Sequence, residues 1–262
     1  MRELERELVP NPTNDSPTVI VGRGRVGLSL ARSSEAAELP VRLTSAADAI
    51  AACESATAAL LCVPDDAIRD VCATVASCEQ PPALVGHVSG ASTLEVLSTA
   101  ADRGCATFSI HPLQTFADES TSVQGVPAAA TGSDQAAESF AAALAERLGM
   151  RPFAVPEEKR AAYHAAASVA SNFLVALEES AAELLTEAGI EDARELLAPL
   201  VLRTAANWAE RGGDALTGPI ARGDEATIER HRVALAETAS ELLPLYDALA
   251  ARTEKLAGRV AT

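Results

Sequence analysis

The sequence is short of aromatic residues, nearly without lysine, and has no long apolar run. Phe, Trp and Tyr make up 3% of the 262 residues, so any core must be assembled from Ala, Leu and Val rather than from large rings. Charges interrupt every apolar stretch before the roughly 18 residues that a membrane-spanning helix requires, so no spanning helix and no membrane partner are expected. Lys159 and Lys255 are the only lysines, and the formal charge is −16. An acidic chain with no basic patch is not expected to bind nucleic acid, whose phosphates demand clustered cations. The first 16 residues, MRELERELVPNPTNDS, lack the apolar stretch and cleavage site of a secretory signal. They are expected to form a short leader or a flexible tail on a cytoplasmic protein. Cys53, Cys62, Cys72, Cys78 and Cys105 are odd in number and form no CxxC. They are expected to be reduced thiols that fill the core, with neither a disulfide framework nor a metal site.

What is present falls into two stretches. From 17 to 152, short apolar runs (TVIVG, LPVRLT, ATAALLCV, ALVGHVS, CATFSIH) alternate with Ala/Leu/Glu-rich helical stretches. Runs of this length bounded by Gly, Pro or Ser are strands, and their alternation with helices implies a mostly parallel sheet covered on both faces. From 153 to 262 such runs nearly vanish and helical spacing dominates. Here two helices are expected with a turn at Gly189, the second stopping at Gly212 and Gly213, and one long last helix capped by Asp224. The fold class is therefore an α/β N-terminal domain of the doubly wound, Rossmann type over 17–152, followed by an all-α C-terminal domain over 153–262.

The segment TVIVGRGRVGLSLA is a strand, a Gly22-x-Gly24-x-x-Gly27 turn and a helix. The first glycine of such a turn permits the tight bend, the second lets the backbone approach a pyrophosphate, and the third lets the helix pack near the strand. The helix N-terminus then offers its unpaired N–H groups to the phosphates. Gly22, Arg23, Gly24, Arg25, Val26 and Gly27 are thus candidate cofactor-binding residues for a nicotinamide dinucleotide. The second strand ends near Arg42, Thr44 and Ser45 with no carboxylate at its tip, which favours a 2′-phosphate and hence NADP (NADPH) over NAD. Val63 and Pro64, after the third strand, are expected to wall the cofactor groove through their backbone.

Ligands of doubly wound sheets sit beyond the carboxyl ends of the strands. His87 and Ser89 end the fourth strand on one side of it, and His111 ends the fifth, so His87 is a candidate substrate contact and the other two are candidate catalytic groups. In YHAAASVASN, residues 163–172, His164, Ser168 and Asn172 recur every four residues and would share one helical face framed by alanines. That stripe reads equally as a catalytic face or as a hydrogen-bonded seam between domains. Tyr163 and Arg222 complete the candidates, the latter for an anionic substrate end.

Five blocks in one order carry a family resemblance: GRGRVG at 22–27, HVSGA at 87–91, HPLQTF at 111–116, YHAAASVASNF at 163–173 and ALTGPIARGD at 215–224. From Val19 to His231 the chain resembles the Rossmann-like proteins with a DUF2520 C-terminal domain, relatives of pyrroline-5-carboxylate reductase and of the 6-phosphogluconate and β-hydroxyacid dehydrogenases. The resemblance implies an NADP-type Rossmann domain, a helical domain that supports a homodimer, and an active cleft between the two. It also sets Ser89-Gly90 beside the substrate loop of the β-hydroxyacid dehydrogenases, and Asn172 beside the asparagine of their catalytic helix. Where those enzymes carry a general-acid lysine, four residues before the asparagine, this chain has Ser168, so proton transfer would fall to His164, Tyr163 or His111. The expected activity is NADP-dependent reduction of a small carbonyl or imine compound. An NADP-binding sensor or scaffold without turnover, and a deazaflavin/NADP oxidoreductase, are the other readings.

Overall fold

The computed structural model describes residues 17–260, so the expected N-terminal tail lies outside the described residues. Two compact units divide the chain after Ser168. The first carries seven strands: β1 (Thr18–Val21), β2 (Val41–Thr44), β3 (Ala58–Leu61), β4 (Leu84–His87), β5 (Ala106–Pro112), β6 (Pro127–Gly132) and β7 (Arg151–Ala154). It also carries helices α1 (Arg25–Ala36), α2 (Ala49–Cys53), α3 (Ile68–Ala76), α4 (Ser98–Asp102), α5 (Gln135–Arg147) and most of α6 (Arg160–Ala170). The second unit contains α7 (Asn172–Glu187), α8 (Ala193–Arg211), α9 (Pro219–Arg222), α10 (Glu225–Thr238) and α11 (Leu243–Val260).

The strands form one sheet in the order β2-β1-β3-β4-β5-β6-β7. The pairs from β2 through β5 are parallel, β6 runs antiparallel to β5, and β7 is parallel to β6. The five expected strands are all present. β6 and β7 were not expected, because PAAATG and RPFA carry no strand-like pattern of their own. β6 becomes a strand by pairing with β5 from Phe108↔Gly132 to Pro112↔Ala128.

Alternating side chains feed two cores, as the period of two along a strand requires. Ile20, Leu60, Leu84, Phe108 and Ile110 meet Ala137, Ala141 and Leu144 of α5 on one face. Val19, Val21, Leu61 and Val85 meet Ile68, Cys72 and Val75 of α3 on the other. Burial on both faces explains why these strands read as unbroken apolar runs rather than alternating ones. All five cysteines are buried and free. Burial pushes the Cys62 thiol up to about 12 and the Cys53 thiol up to about 11, so neither is a ready nucleophile.

Two expectations for the helices are corrected. The stripe His164, Ser168, Asn172 does not lie on one continuous helix, because α6 ends at Ala170 and Ser171, at φ −124° and ψ −79°, breaks the path into α7. The long last helix is two helices, interrupted at Ala239–Leu242. Its cap is as expected: the Asp224 carboxylate accepts from the Thr227 N–H at 3.1 Å. The expected boundary at 152/153 falls inside β7, and the first compact unit continues past it through most of α6. No described helix is long and apolar enough to cross a membrane.

Candidate active site at the carboxyl ends of the strands

The chain reverses its direction of growth across the sheet at β1, which lies between β2 and β3. The ends of β1 and β3 are therefore the switch point at which a doubly wound sheet takes its ligand. Gly22 stands there at φ +125°, in the region that favours glycine, and a Cβ on it would lie 2.2 Å from the Cys62 carbonyl oxygen. A Cβ on Gly27 would lie 2.0 Å from the Gly22 carbonyl oxygen. These two glycines are fixed by contact within the protein, and Val63 packs beside the first. Gly24 differs: no protein atom lies within 4 Å of its would-be Cβ. It is the N-cap of α1, and neither a side-chain cap nor an acidic residue occupies that helix's first turn. The N–H groups of the turn are thus left for an anion. Arg23 and Arg25 are exposed beside it, with Arg25 Nη1 donating to the Ala117 carbonyl at 3.3 Å. This turn fits a dinucleotide pyrophosphate.

The tip of β2 differs from the sequence reading. The Thr44 carbonyl accepts from the Gly22 N–H at 2.9 Å, so Thr44 braces the turn through its backbone. The Ser45 hydroxyl donates to Asp48 Oδ2 at 2.7 Å, which brings a carboxylate to a tip expected to lack one. The Arg42 guanidinium instead donates to the Ala52 carbonyl at 2.9 Å and to the Ser55 hydroxyl at 3.3 Å, and so serves the end of α2.

Three sequence blocks far apart in the chain meet beyond β4 and β5. β5 runs three residues past the end of β4, since His87 pairs in register with Ser109, and this carries His111 forward to α6. There His111 Nδ1 and the Tyr163 hydroxyl are hydrogen-bonded at 2.7 Å. The His164 ring stands edge-on to His111 with centroids 6.1 Å apart. The turn after β4 closes against both imidazoles: a Cβ on Gly90 would lie 2.6 Å from His111 Nε2 and 2.8 Å from His164 Cδ2. Burial, then the neighbouring His164 and Arg160, hold His111 down to about 4 despite the opposing pull of Asp65. Burial pushes the Tyr163 phenol up, against the pull of Arg160. At neutral pH the pair is an uncharged imidazole against an intact phenol.

His87, the candidate substrate contact, and Ser89, a candidate catalytic group, both spend hydrogen bonds on building this turn. His87 is fully buried. Its Nδ1 accepts from the Ser89 N–H at 3.1 Å, and its Nε2 donates to the Thr93 carbonyl at 3.3 Å. That tautomer is neutral, and burial together with Arg160 holds the ring down to about 4. The Ser89 hydroxyl donates to Asp65 Oδ2 at 2.8 Å and accepts from the N–H groups of Ala91 and Ser92 at 3.2 and 3.0 Å. A hydroxyl with its donor and both lone pairs engaged has nothing left for a substrate. Ser168 is half-buried near the end of α6. Asn172 is the first residue of α7 and Arg222 the last of α9, both in the second unit.

Arg160 is the buried charged group of this site that sequence reasoning missed. It is 1% exposed, the largest fully buried side chain among the described residues. Its guanidinium donates to the Ser89 carbonyl at 3.2 Å, the Ser109 hydroxyl at 2.5 Å and the Thr131 hydroxyl at 3.3 Å. Its Nη2 also donates to Glu157 Oε1 at 3.5 Å, while its Nε lies 3.4 Å from Glu157 Oε2, close enough to pair but not aligned as a hydrogen bond. Among the described residues no group of three His, Cys, Asp or Glu side chains is placed to hold a metal ion.

Comparison with known proteins agrees with this architecture. Solved structures share the fold over nearly the whole chain. A Bacteroides fragilis protein assigned as an NADP oxidoreductase matches with a TM-score of 0.74 at 22% identity, covering 92% of this chain and 99% of that one. A reductive aminase from Aspergillus terreus, in complex with NADPH and ethyl levulinate, matches at 0.64 and 16%, covering 94% and 98%. A pyrroline carboxylate reductase from Plasmodium falciparum with NADP bound matches at 0.60 and 12%, covering 93% and 99%. At these identities the likeness carries the fold alone. No curated protein matches the chain. Residues 47–112 match the Rossmann-like domain family, and residues 126–253 match the family described as a domain of unknown function, DUF2520. The two matches follow one another along the chain, a Rossmann-like one and a DUF2520 one, in agreement with the resemblance that its motifs carry.

Proposed function

We propose that this protein is an NADP(H)-dependent oxidoreductase that reduces a small carbonyl or imine compound, with Tyr163 as the proton donor and His111 as its partner. The observation that carries this reading is the 2.7 Å hydrogen bond between Tyr163 and His111 at the carboxyl ends of the strands, in the same unit as an uncapped glycine turn. Gly22, Gly24, Gly27 and the first-turn N–H groups of α1 would hold the pyrophosphate, with Arg23, Arg25 and Val26 beside it. NADPH, when bound, supplies a hydride to the substrate carbon. Tyr163 donates its proton to the oxygen or nitrogen on which negative charge develops. With the His111 Nδ1–H donating to the phenol oxygen, the phenol O–H is free to point at the substrate, and the phenolate left behind keeps a hydrogen bond. Solvent then restores the proton. His164 borders the same space and shapes it. The absence of a lysine at position 168 is no obstacle on this reading, because the phenol replaces it.

Fold neighbours in complex with NADPH and NADP support the choice of the phosphorylated cofactor. Asp48, held by Ser45 at 2.7 Å, is the observation that favours NADH instead, so titration with both nucleotides decides between them. Tyr163→Phe tests the reaction: turnover should fall by about 10²–10⁴-fold while NADPH affinity stays unchanged. Wild-type turnover in that variant would remove Tyr163 from the role.

The second unit supports a homodimer as the working form. Among its described residues only Ala193, Leu235, Ala239 and Ala250 are buried hydrophobics, while Phe173, Val175, Leu200, Leu202 and Trp208 are each more than 60% exposed. Apolar residues in such number on helices mark an interaction surface. Light scattering should give twice the chain mass, and Leu202→Glu should halve it.

A further inference from the structure

A buried guanidinium needs a reason. Taking a cation out of water is expensive, and one buried pair seldom adds net stability over a well-packed apolar side chain. Arg160 is buried beside a single carboxylate that is itself one-third exposed, and the pair is imperfectly aligned. Its other bonds reach the turn after β4, the middle of β5 and the end of β6. Ser109 lies two residues before His111 on β5, and Tyr163 lies one turn beyond Arg160 on α6. The same side chain therefore ties down both elements that carry the phenol–imidazole pair, and the backbone of the Gly90 turn that closes on it.

We propose that Arg160 is the positioning residue of this site: its planar fork clamps the start of α6 to β4, β5 and β6 and so sets the contact between Tyr163 and His111. Arg160 does not touch the substrate; it acts through that pair. A lysine cannot replace it, because a single ammonium cannot span the Ser89 carbonyl and the Ser109 and Thr131 hydroxyls as a fork does. The fixed charge has a second consequence. Facing His111 are Tyr163, His164 and Arg160 from α6, Asp65 from the turn after β3, and His87 from β4. Of the charged groups among these, Arg160 opposes protonation of the ring and Asp65 favours it.

The kinetic part of this inference rests on the proposed reductase activity, and the spectroscopic part does not. Nitrogen-15 spectra of the histidine rings report the tautomer and titration of His111 directly. The wild-type ring should stay neutral until the pH approaches about 4 and should keep one tautomer, fixed by Tyr163. Arg160→Lys keeps the charge and loses the fork. It should scramble the tautomer and lower kcat by about tenfold or more, with NADPH affinity unchanged because the glycine turn shares none of Arg160's bonds. Arg160→Gln should also raise the His111 midpoint, because it removes one of the groups that oppose protonation of the ring. Wild-type tautomer, midpoint and kcat in both variants overturn the proposal. So does a fall in thermal stability with these signals unmoved, since that is a structural role alone. If neither variant folds, Ser109→Ala decides: a tautomer fixed as in the wild type overturns the proposal, and a scrambled one supports it. If the wild type shows no turnover, the reductase reading fails while the ring spectra still decide this one.

Discussion

Replacing Gly24 with alanine should separate the stability of this protein from its affinity for the cofactor. Gly24 sits at φ −75° and ψ 177°, a conformation open to any residue, and nothing lies within 4 Å of the added methyl. Folding should therefore be unharmed, or gain about 0.4–1 kcal/mol from the stiffer unfolded chain. The methyl nevertheless occupies the space above the uncapped first turn of α1, where the pyrophosphate is expected to approach the backbone. Forcing a methyl into a close contact costs about 1–3 kcal/mol, which corresponds to roughly 5–150-fold weaker binding. The assay is an NADPH fluorescence titration with thermal unfolding of the ligand-free protein alongside. Gly22→Ala is the control of opposite sign: its Cβ would lie 2.2 Å from a backbone oxygen at φ +125°, so it should lose stability before affinity can be measured. If Gly24→Ala binds NADPH as tightly as the wild type, the pyrophosphate does not lie on this turn.

Three further outcomes follow from named contacts. Gly86→Ala should lower stability by about 1–3 kcal/mol, read by thermal unfolding, because a Cβ there would lie 2.5 Å from the Phe108 ring; an unchanged midpoint would contradict the packing described. His87 is held at about 4 against the ordinary 6.5, so the folded state binds its proton less readily than the unfolded chain. The stability that His87 contributes should be full above about pH 6.5 and fall by about 3 kcal/mol as the pH drops toward 4, with a similar share from His111, whose ring is held down likewise. Urea unfolding at steps across that window measures the sum, and His87→Asn should remove the His87 share of the slope. Gly90→Ala, whose Cβ would lie 2.6 Å from His111 Nε2, should impair turnover more than stability, since the flanking turn can shift only by moving the rings.

Sequence patterns revealed the parts whose physics is local. Each of β1 to β5 is an apolar run between Gly, Pro or Ser, and the three glycines declare a turn whose spacing matches the contacts they make. Strand ends drew attention to His87, Ser89 and His111 before their partners were known. What the pattern could not show was where each hydrogen bond goes. Ser89 and His87 look like ligands for a substrate, yet their bonds are spent on the turn that holds Gly90 against the imidazoles. Arg160, in the run EEKR, reads as one more solvated charge. The signal for it was elsewhere, in Ser109 within the apolar strand FSIH and Thr131 at the end of PAAATG, two hydroxyls in buried strands that needed a polar partner. Asp48 was overlooked because it lies beyond the strand and reaches the tip only through Ser45. The alanines of β6 favour a helix on intrinsic propensity, and only pairing with β5 makes them a strand.

The central claim is that this protein moves a hydride from NADPH and a proton from Tyr163 onto one substrate. It is tested most directly with NADPH deuterated at the transferring position, incubated with a panel of small ketones, aldehydes and cyclic imines, the products being read by mass spectrometry. The expected product carries one deuterium on the former carbonyl or imine carbon, formed by the wild type and nearly absent with Tyr163→Phe. Tight NADPH binding with no deuterium transferred to any compound of these classes would contradict it, and would leave a protein that holds the nucleotide without using it.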